Sequence, residues 1–349
     1  SLDRSLYLAC ERLLSDRVLA VTMWLIGINA LCGNAFVLGW RKRNQERNTV
    51  QSLLLSNLAM SDLLMGVYMI IIAIADIRFG EEFPMRAEMW RTGIICKIAG
   101  ALSILSSEAS VFFISVISFD RFINIKYPFK STYKFGTKSI IITITLTWMF
   151  AVALGIIPSM LAGKYPDFYD NSHVCIGLPL ALTERFSTNS TNQRIRHHST
   201  SYVTYDISQA VSHGQKPGLY FSTAVFLGLN SICYLLILAC YIIIVQTVRQ
   251  SSKQAGISND MKKQIKLTIK VSAIVITDFA CWAPVILLGI LVQCQVLTLP
   301  PSVFTWCVTF ILPINSAINP YLYTIADIIS ARQKENQNKA KILLAYTTK

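Results

Sequence analysis

Three acidic residues lie inside stretches of sequence that are otherwise almost free of charge: Asp62, Glu108 and Asp278. A charged group at the centre of a membrane-spanning helix costs about 2.5–3.5 kcal/mol even on a lenient insertion scale. Such acids therefore face the interior of a helix bundle and need polar partners there. Two kinds of chemistry fit them, namely the binding of a small cation and hydrogen bonding between helices.

One set of polar residues matches the depth of Asp62. Asn315, Ser316, Asn319 and Tyr323 recur every three or four residues and so form one stripe along a helix. Counted at 1.5 Å per residue, Ser110 sits at about the same depth as Asp62. Asp62, Ser110, Asn315 and Ser316 could offer oxygens to a cation, or could form a hydrogen-bonded network with water. Spacing alone leaves both alternatives open.

One group of residues indicates a moving part, and another an ion pair at the inner mouth of the bundle. Asp278 and Trp282 lie one turn apart, and Pro284 frees a backbone carbonyl and should kink the helix that carries them. Asp120 and Arg121 form a neighbouring acid and base at the expected inner end of another helix.

The elements that must position these residues are membrane spans. The chain has 349 residues, of which 53% are hydrophobic and only 15% charged, whereas a soluble domain carries about 25% charged residues. A span needs about 20 apolar residues. Segments of this kind occur at approximately 18–40, 50–75, 93–118, 139–161, 219–248, 265–293 and 302–325. The expected fold is an all-α membrane protein, a bundle of seven transmembrane helices over residues 18–325.

The distribution of Lys and Arg predicts the orientation. Most of them lie in the short loops after the first, third and fifth spans and in the tail 326–349, which are therefore cytoplasmic. The tail 1–17 and the long loop 162–218 are then outside, where Asn189 in an Asn-Ser-Thr sequon can be glycosylated. The net charge of +13 suits anionic lipid or an acidic partner on the cytoplasmic face, not nucleic acid.

Several cysteines lie at the expected outer surface. Cys96 and Cys175 are natural oxidised partners, and their bridge would pin the loop 162–218 across the mouth of the bundle. Cys10 and Cys294 could pair with each other, or Cys10 with a preceding segment.

Taken in order, short motifs in every span resemble those of the rhodopsin-like (class A) G-protein-coupled receptors. No single motif is specific, but together they cover nearly the whole chain. They are Gly33-Asn34, Leu58 to Asp62, Cys96, Asp120-Arg121-Phe122, Trp148, Tyr241, Cys281 to Pro284, and Asn319-Pro320-Tyr321-Leu322-Tyr323.

Within that family the chain looks most like the leucine-rich-repeat subgroup of relaxin-type and glycoprotein-hormone-type receptors. The runs that suggest this are Ser106 to Ser110, Thr277-Asp278, and Ile311 to Pro320. In that subgroup a large ectodomain bearing repeats precedes the first span. The resemblance therefore implies that residues 1–17 are the remnant of such an ectodomain.

The resemblance also implies a function and its residues. The receptor would sit in the plasma membrane and would signal from an extracellular peptide or protein to a heterotrimeric G protein through outward movement of the sixth helix. The family's allosteric sodium pocket maps onto Asp62, Ser110, Asn315, Ser316 and Asn319, and no other cofactor is required. Its activation and coupling residues map onto Asp120, Arg121, Tyr241, Asp278, Trp282, Pro284, Asn319, Pro320 and Tyr323.

Three positions depart from the family pattern. Phe122 replaces the usual Tyr, Cys233 replaces the common proline of the fifth helix, and Gln264 stands where many members carry an acid that holds Arg121. The resting state is therefore expected to depend more on Asp120 and Asp278.

Other classes of protein fit less well. A retinal protein would need a lysine in the seventh span, a transporter or channel an internal repeat or a more polar path, and an intramembrane hydrolase a base beside a nucleophile. The sequence provides none of these, so we expect no enzyme activity. The more serious alternative is a receptor-like scaffold that does not signal.

Overall fold

The computed structural model describes residues 13–14, 16–43, 50–128, 130, 134–161, 174–176, 217–254, 259–297, 303 and 306–322. Its long helices follow the chain order of the seven predicted spans. They are α1 (Arg17–Arg43), α2 (Val50–Phe79), α3 (Ile94–Lys126), α4 (Thr137–Leu161), α5 (Pro217–Ser222, Thr223–Leu229 and Asn230–Gln254), α6 (Asn259–Gln293) and α7 (Cys307–Ile311 and Leu312–Pro320).

Length and apolar composition qualify six of these helices, α1 to α6, as membrane spans within the described residues. The described part of α7 covers less than the predicted span 302–325, because several residues on both sides of it lie outside the described ranges. Several helices continue beyond the predicted apolar segments. α3 reaches Lys126 and α6 begins at Asn259, since helical hydrogen bonding does not end where the chain leaves hydrocarbon.

A short helix that the sequence analysis did not predict, Phe83–Thr92, connects α2 to α3. Its Phe83 and Trp90 are buried, and both rings pack edge-on against Phe79 at the end of α2. Met85 and Met89, one turn apart, face away from the bundle and are exposed. The aromatic side chains thus fold this connection down onto the outer end of α2.

α3 lies at the centre of the bundle, where it contacts α2, α4, α5 and α6, while α7 contacts α1, α2 and α6. The helices approach closely at two glycines. A Cβ atom on Gly66 would lie 2.7 Å from the backbone nitrogen of Leu31, and one on Gly155 would lie 2.8 Å from the carbonyl oxygen of Ala101. Only glycine allows α2 to pack against α1, and α4 against α3, at these distances.

The side chains are distributed as expected for a bundle in lipid. Large aliphatic residues point outward and are exposed, among them Leu25, Leu146, Leu235 and Ile276. Asn34, Asp62, Glu108, Asn230 and Asn319 are instead fully buried. A water-soluble bundle would show the reverse arrangement, so the burial pattern agrees with a multi-pass membrane protein.

Two helices contain a wide π-helical turn, at Thr223–Leu229 in α5 and Cys307–Ile311 in α7. A π turn inserts one residue and so changes the direction of the side chains that precede it. In α5 it ends directly before Asn230 and places Phe226 against Trp282 of α6, with ring centroids 6.0 Å apart.

Candidate functional site

The carboxylate of Asp62 is the centre of a polar cluster that joins three helices. It accepts hydrogen bonds from Ser316 Oγ at 2.9 Å, from Asn319 Nδ2 at 2.8 Å and, more weakly, from Ser110 Oγ at 3.5 Å. Asp62 has no exposed surface. The structure therefore brings together α2, α3 and α7 through four of the five residues that the sequence analysis assigned to a sodium pocket.

The fifth residue, Asn315, faces another acid. Its Nδ2 donates to Asp278 Oδ1, and its Oδ1 accepts a 3.4 Å hydrogen bond from Thr277. Among the described residues, Asn315 has no hydrogen bond to Asp62. Successive residues on a helix point about 100° apart, so Ser316 faces α2 while Asn315 faces α6.

Asp278 is the second buried centre. Its Oδ2 accepts a 2.5 Å hydrogen bond from the Tyr234 hydroxyl of α5, in addition to the bond from Asn315 of α7. One carboxylate thus ties α6 to both of its neighbours. Tyr234 was not among the predicted site residues, because a tyrosine in an apolar run does not by itself indicate whether its hydroxyl is bonded.

Backbone contacts fix the position of α7 beside the first cluster. Asn34 Nδ2 donates both to Ala30 O of its own helix at 2.8 Å and to Ser316 O of α7 at 2.9 Å. Pro320 packs against Gly33, where a Cβ atom would lie 3.1 Å from the proline ring. α1 therefore positions the backbone from which Ser316 and Asn319 reach Asp62.

At the predicted cytoplasmic end, Arg121 is held by two partners. Its Nε donates to Asp120 Oδ2 at 3.1 Å, its Nη2 contacts the same oxygen, and its Nη1 donates to Gln264 Oε1 of α6 at 3.3 Å. Asn124 Nδ2 donates to Asp120 Oδ1 at 3.0 Å and so orients that carboxylate. Gln264 thus links α6 to Arg121 through a neutral acceptor, in addition to the contact of Arg121 with Asp120 that the sequence analysis expected.

The remaining predicted switch residues have different surroundings. Trp282 is buried and stacked on Phe226, and Pro284 lies within α6 two residues later. The Tyr241 hydroxyl is buried and has no hydrogen-bond partner among the described residues. Tyr323, Asn189, the tails 1–12 and 323–349, and most of the loop 162–218 lie outside the described residues, so the predictions made for them remain predictions.

The predicted disulfide is present at the other end of the bundle. Cys96 and Cys175 are bonded, and their Cα atoms are 5.4 Å apart. Val174 and Ile176 beside Cys175 are buried, and the Tyr68 hydroxyl donates to Val174 O at 2.9 Å. Ile176 closes a small cavity between the helices, lined also by Met65, Ser103, Ser107, Phe226, Leu312 and Pro313. Residues 174–176 thus cover the end of the bundle at which the disulfide lies.

The chain belongs to the rhodopsin family of seven-transmembrane receptors, whose family model matches residues 33–205 and 173–323. The G-protein coupled receptor GRL101 of Lymnaea stagnalis is 32% identical to it over 342 residues, which are 97% of this chain and 28% of that protein.

Two groups of hormone receptors are also similar to the chain. Relaxin receptor 2 of Homo sapiens is 27% identical over 316 residues, covering 90% of this chain and 38% of that receptor. The follicle-stimulating hormone receptor of Cairina moschata is 29% identical over 316 residues, which are 90% of this chain and 39% of that receptor. The predicted likeness to relaxin-type and glycoprotein-hormone-type receptors is confirmed. The chain spans between 28% and 39% of the length of these relatives.

Proposed function

We propose that the chain transmits an extracellular signal to a heterotrimeric G protein through an outward movement of the inner half of α6. The observation that supports this most directly is that two separate sets of hydrogen bonds hold α6 to its neighbours; each set is called a latch below. Gln264 accepts from Arg121 of α3, and Asp278 accepts from Tyr234 of α5 and Asn315 of α7. Both latches hold α6 in the resting state, and removing either one lowers the free energy needed to reach the active state.

Pro284 supplies the hinge for this movement. It lies 20 residues from Gln264, which corresponds to about 30 Å of helix. A bend of about 10° at the proline therefore moves the inner end of α6 by about 5 Å over this length. The opened cleft would present Arg121 to the C-terminal helix of a G protein α subunit.

Sodium would act on the same equilibrium through Asp62. The donors around this carboxylate are the Ser110 and Ser316 hydroxyls and the Asn319 amide. The Oδ1 atom of Asn319 is buried and has no hydrogen-bond partner within the described part of the chain. This oxygen-rich set fits a hard cation. A bound ion would link α2, α3 and α7 only when they are close, so it would favour the resting state.

The extracellular ligand would be a peptide or protein acting from outside the bundle. Val174 and Ile176 are buried over the mouth of the bundle, and Ile176 lines a small cavity between the described helices. Similar proteins are named relaxin receptor and follicle-stimulating hormone receptor. In this arrangement the N-terminus is extracellular, the C-terminus is cytoplasmic, and the receptor resides in the plasma membrane.

The test is ligand-independent nucleotide exchange on G protein α subunits of each class, normalised to the amount of receptor at the cell surface. Asp278→Ala opens one latch and should raise basal exchange. Adding Arg121→Ala should return it to background, whereas adding Arg43→Ala, at an exposed position at the end of α1, should not. If Asp278→Ala reaches the surface and activates no α subunit, the chain is a scaffold that does not signal, and the proposal is overturned.

A further inference from the structure

The third buried acid, Glu108, takes no part in either latch. It lies on α3 with no exposed surface and accepts one hydrogen bond, from Asn230 Nδ2 of α5 at 3.2 Å. Asn230 is equally buried. Two oxygens of this pair, Glu108 Oε2 and Asn230 Oδ1, are enclosed and have no hydrogen-bond partner among the described residues.

This hydrogen bonding differs from that of the other two acids. Asp62 accepts three hydrogen bonds, and each carboxylate oxygen of Asp278 accepts one. Glu108 accepts a single bond, and no described Lys, Arg or His pairs with it. A buried carboxylate with one neutral donor and no counter-charge is very unfavourable in its ionised form.

Both unpartnered oxygens are acceptors, so what the pair needs is one donor. A proton on Glu108 Oε2 supplies it. The carboxylic acid then donates to Asn230 Oδ1 while Asn230 Nδ2 donates to Glu108 Oε1, and a single proton satisfies every polar atom of the two side chains. We propose that Glu108 and Asn230 form a neutral acid–amide pair, closed by two hydrogen bonds, that clamps α3 to α5.

The titratable groups around the pair add no positive charge. Cys233 and Tyr234 of α5 lie close enough to sense the charge of Glu108, and beyond them lies Asp278 of α6. Cys233 and Tyr234 are neutral in their ordinary form, and Asp278 is an acid. No described group in this region would stabilise a negative charge on Glu108, which agrees with a neutral Glu108 side chain.

The position of the clamp gives it a role. Asn230 directly follows the π turn that carries Phe226, and Tyr234 lies one turn further along the same face of α5. The pair therefore fixes α5 against α3 at the point from which Phe226 reaches Trp282 and Tyr234 reaches Asp278. It is a positioning pair, which stays closed while the bond between Tyr234 and Asp278 opens.

Glu108→Gln tests the protonation state, because glutamine has the shape and the hydrogen-bonding groups of the protonated acid. Glu108→Leu is the matched variant of similar size that can make neither bond. We expect Glu108→Gln in the full chain to keep the wild-type surface level, apparent melting temperature and basal exchange. Glu108→Leu should lower the surface level several-fold.

The swapped double variant Glu108→Gln with Asn230→Asp rebuilds the pair with its groups exchanged, and it should recover the stability that Asn230→Ala loses. If Glu108→Gln is as unstable as Glu108→Leu, then the anion is required and the proposal is wrong.

Infrared spectroscopy gives a readout that a merely structural role would not change. The purified receptor should show the carbonyl band of a protonated carboxylic acid, and Glu108→Gln should remove intensity from it. A difference spectrum in which Glu108→Gln changes only carboxylate bands would contradict the neutral pair, even if the variant is stable.

Discussion

Asn315 and Ser316 are adjacent in the chain, yet they donate to different buried acids: Asn315 to Asp278 of α6, and Ser316 to Asp62 of α2. One turn of α7 therefore touches both the proposed cation site and the α6 latch. Because a helix turn moves as a unit, a change at one acid alters the geometry at the other. This relationship provides a physical route by which an ion at Asp62 would influence α6.

Tyr234→Phe should raise basal G protein activation by about threefold. The change removes only the hydroxyl that donates to Asp278 at 2.5 Å, and one interhelical hydrogen bond in a membrane is worth roughly 0.6 kcal/mol. The measurement is ligand-independent nucleotide exchange per receptor at the cell surface. Tyr220→Phe, at an exposed position near the outer end of the same helix, is the control. Unchanged exchange in Tyr234→Phe would show that this bond does not restrain α6.

Sodium should lower basal activity through Asp62. Replacing potassium by sodium at constant ionic strength is expected to reduce nucleotide exchange in the wild type, and Asp62→Asn should abolish this reduction because it removes the only charge of the site. Ser110→Ala should weaken the effect. Ser103→Ala is the control, since its hydroxyl donates to Gly100 O of its own helix at 2.8 Å and not to Asp62. An equal response to sodium in the wild type and Asp62→Asn would exclude the site.

Breaking the disulfide should destabilise the outer end of the bundle. Cys96→Ser and Cys175→Ser each open a covalent link across 79 residues of sequence, and losing a native disulfide typically costs about 2–5 kcal/mol. Both variants should show the same fall in melting temperature, and the double variant should fall no further. Cys307→Ser changes a buried cysteine that is not disulfide-bonded and serves as the control for a generic effect. Additive losses would mean that the two cysteines act separately.

Gly66→Ala should weaken the packing of α1 on α2. The added methyl group would lie 2.7 Å from the backbone nitrogen of Leu31, and backbone cannot move aside as a flexible side chain can. Overpacking of this kind costs about 1–3 kcal/mol, which should appear as a lower melting temperature. Gly39→Ala, where nothing lies within 4 Å of the added carbon, should not lower it. Equal effects of the two changes would contradict this packing.

Hydropathy, charge and motif order were enough to predict the helix order and the disulfide, because both follow from where apolar segments and cysteines fall along the chain. Counting residues along the predicted spans, at 1.5 Å per residue, also placed Asp62 at the same depth as Ser110 and Ser316. Counting residues could not predict that Asn315 and Ser316 face different acids. The direction in which each side chain points depends on the rotation of α7 relative to its neighbours.

Other parts of the site depend on tertiary structure. Tyr234 and Asn230 lie one turn apart in an apolar run, and this spacing is the only signal that could have identified them as partners of Asp278 and Glu108. The π turn before Asn230 has no sequence signature comparable to the proline that Cys233 replaces. The stacking of its Phe226 on Trp282 of α6 is a tertiary contact, which counting residues along the chain does not predict.

The movement of α6 is tested most directly by a distance between the inner ends of α4 and α6. Spin labels attached through non-natural residues at Lys138 and Lys266, both exposed, report this distance by pulsed electron resonance in nanodiscs. We predict one short distance in the wild type, and a second population several ångströms longer in Asp278→Ala that grows when a G protein is added. An unchanged distance distribution in Asp278→Ala, together with raised nucleotide exchange, would contradict the outward movement of α6.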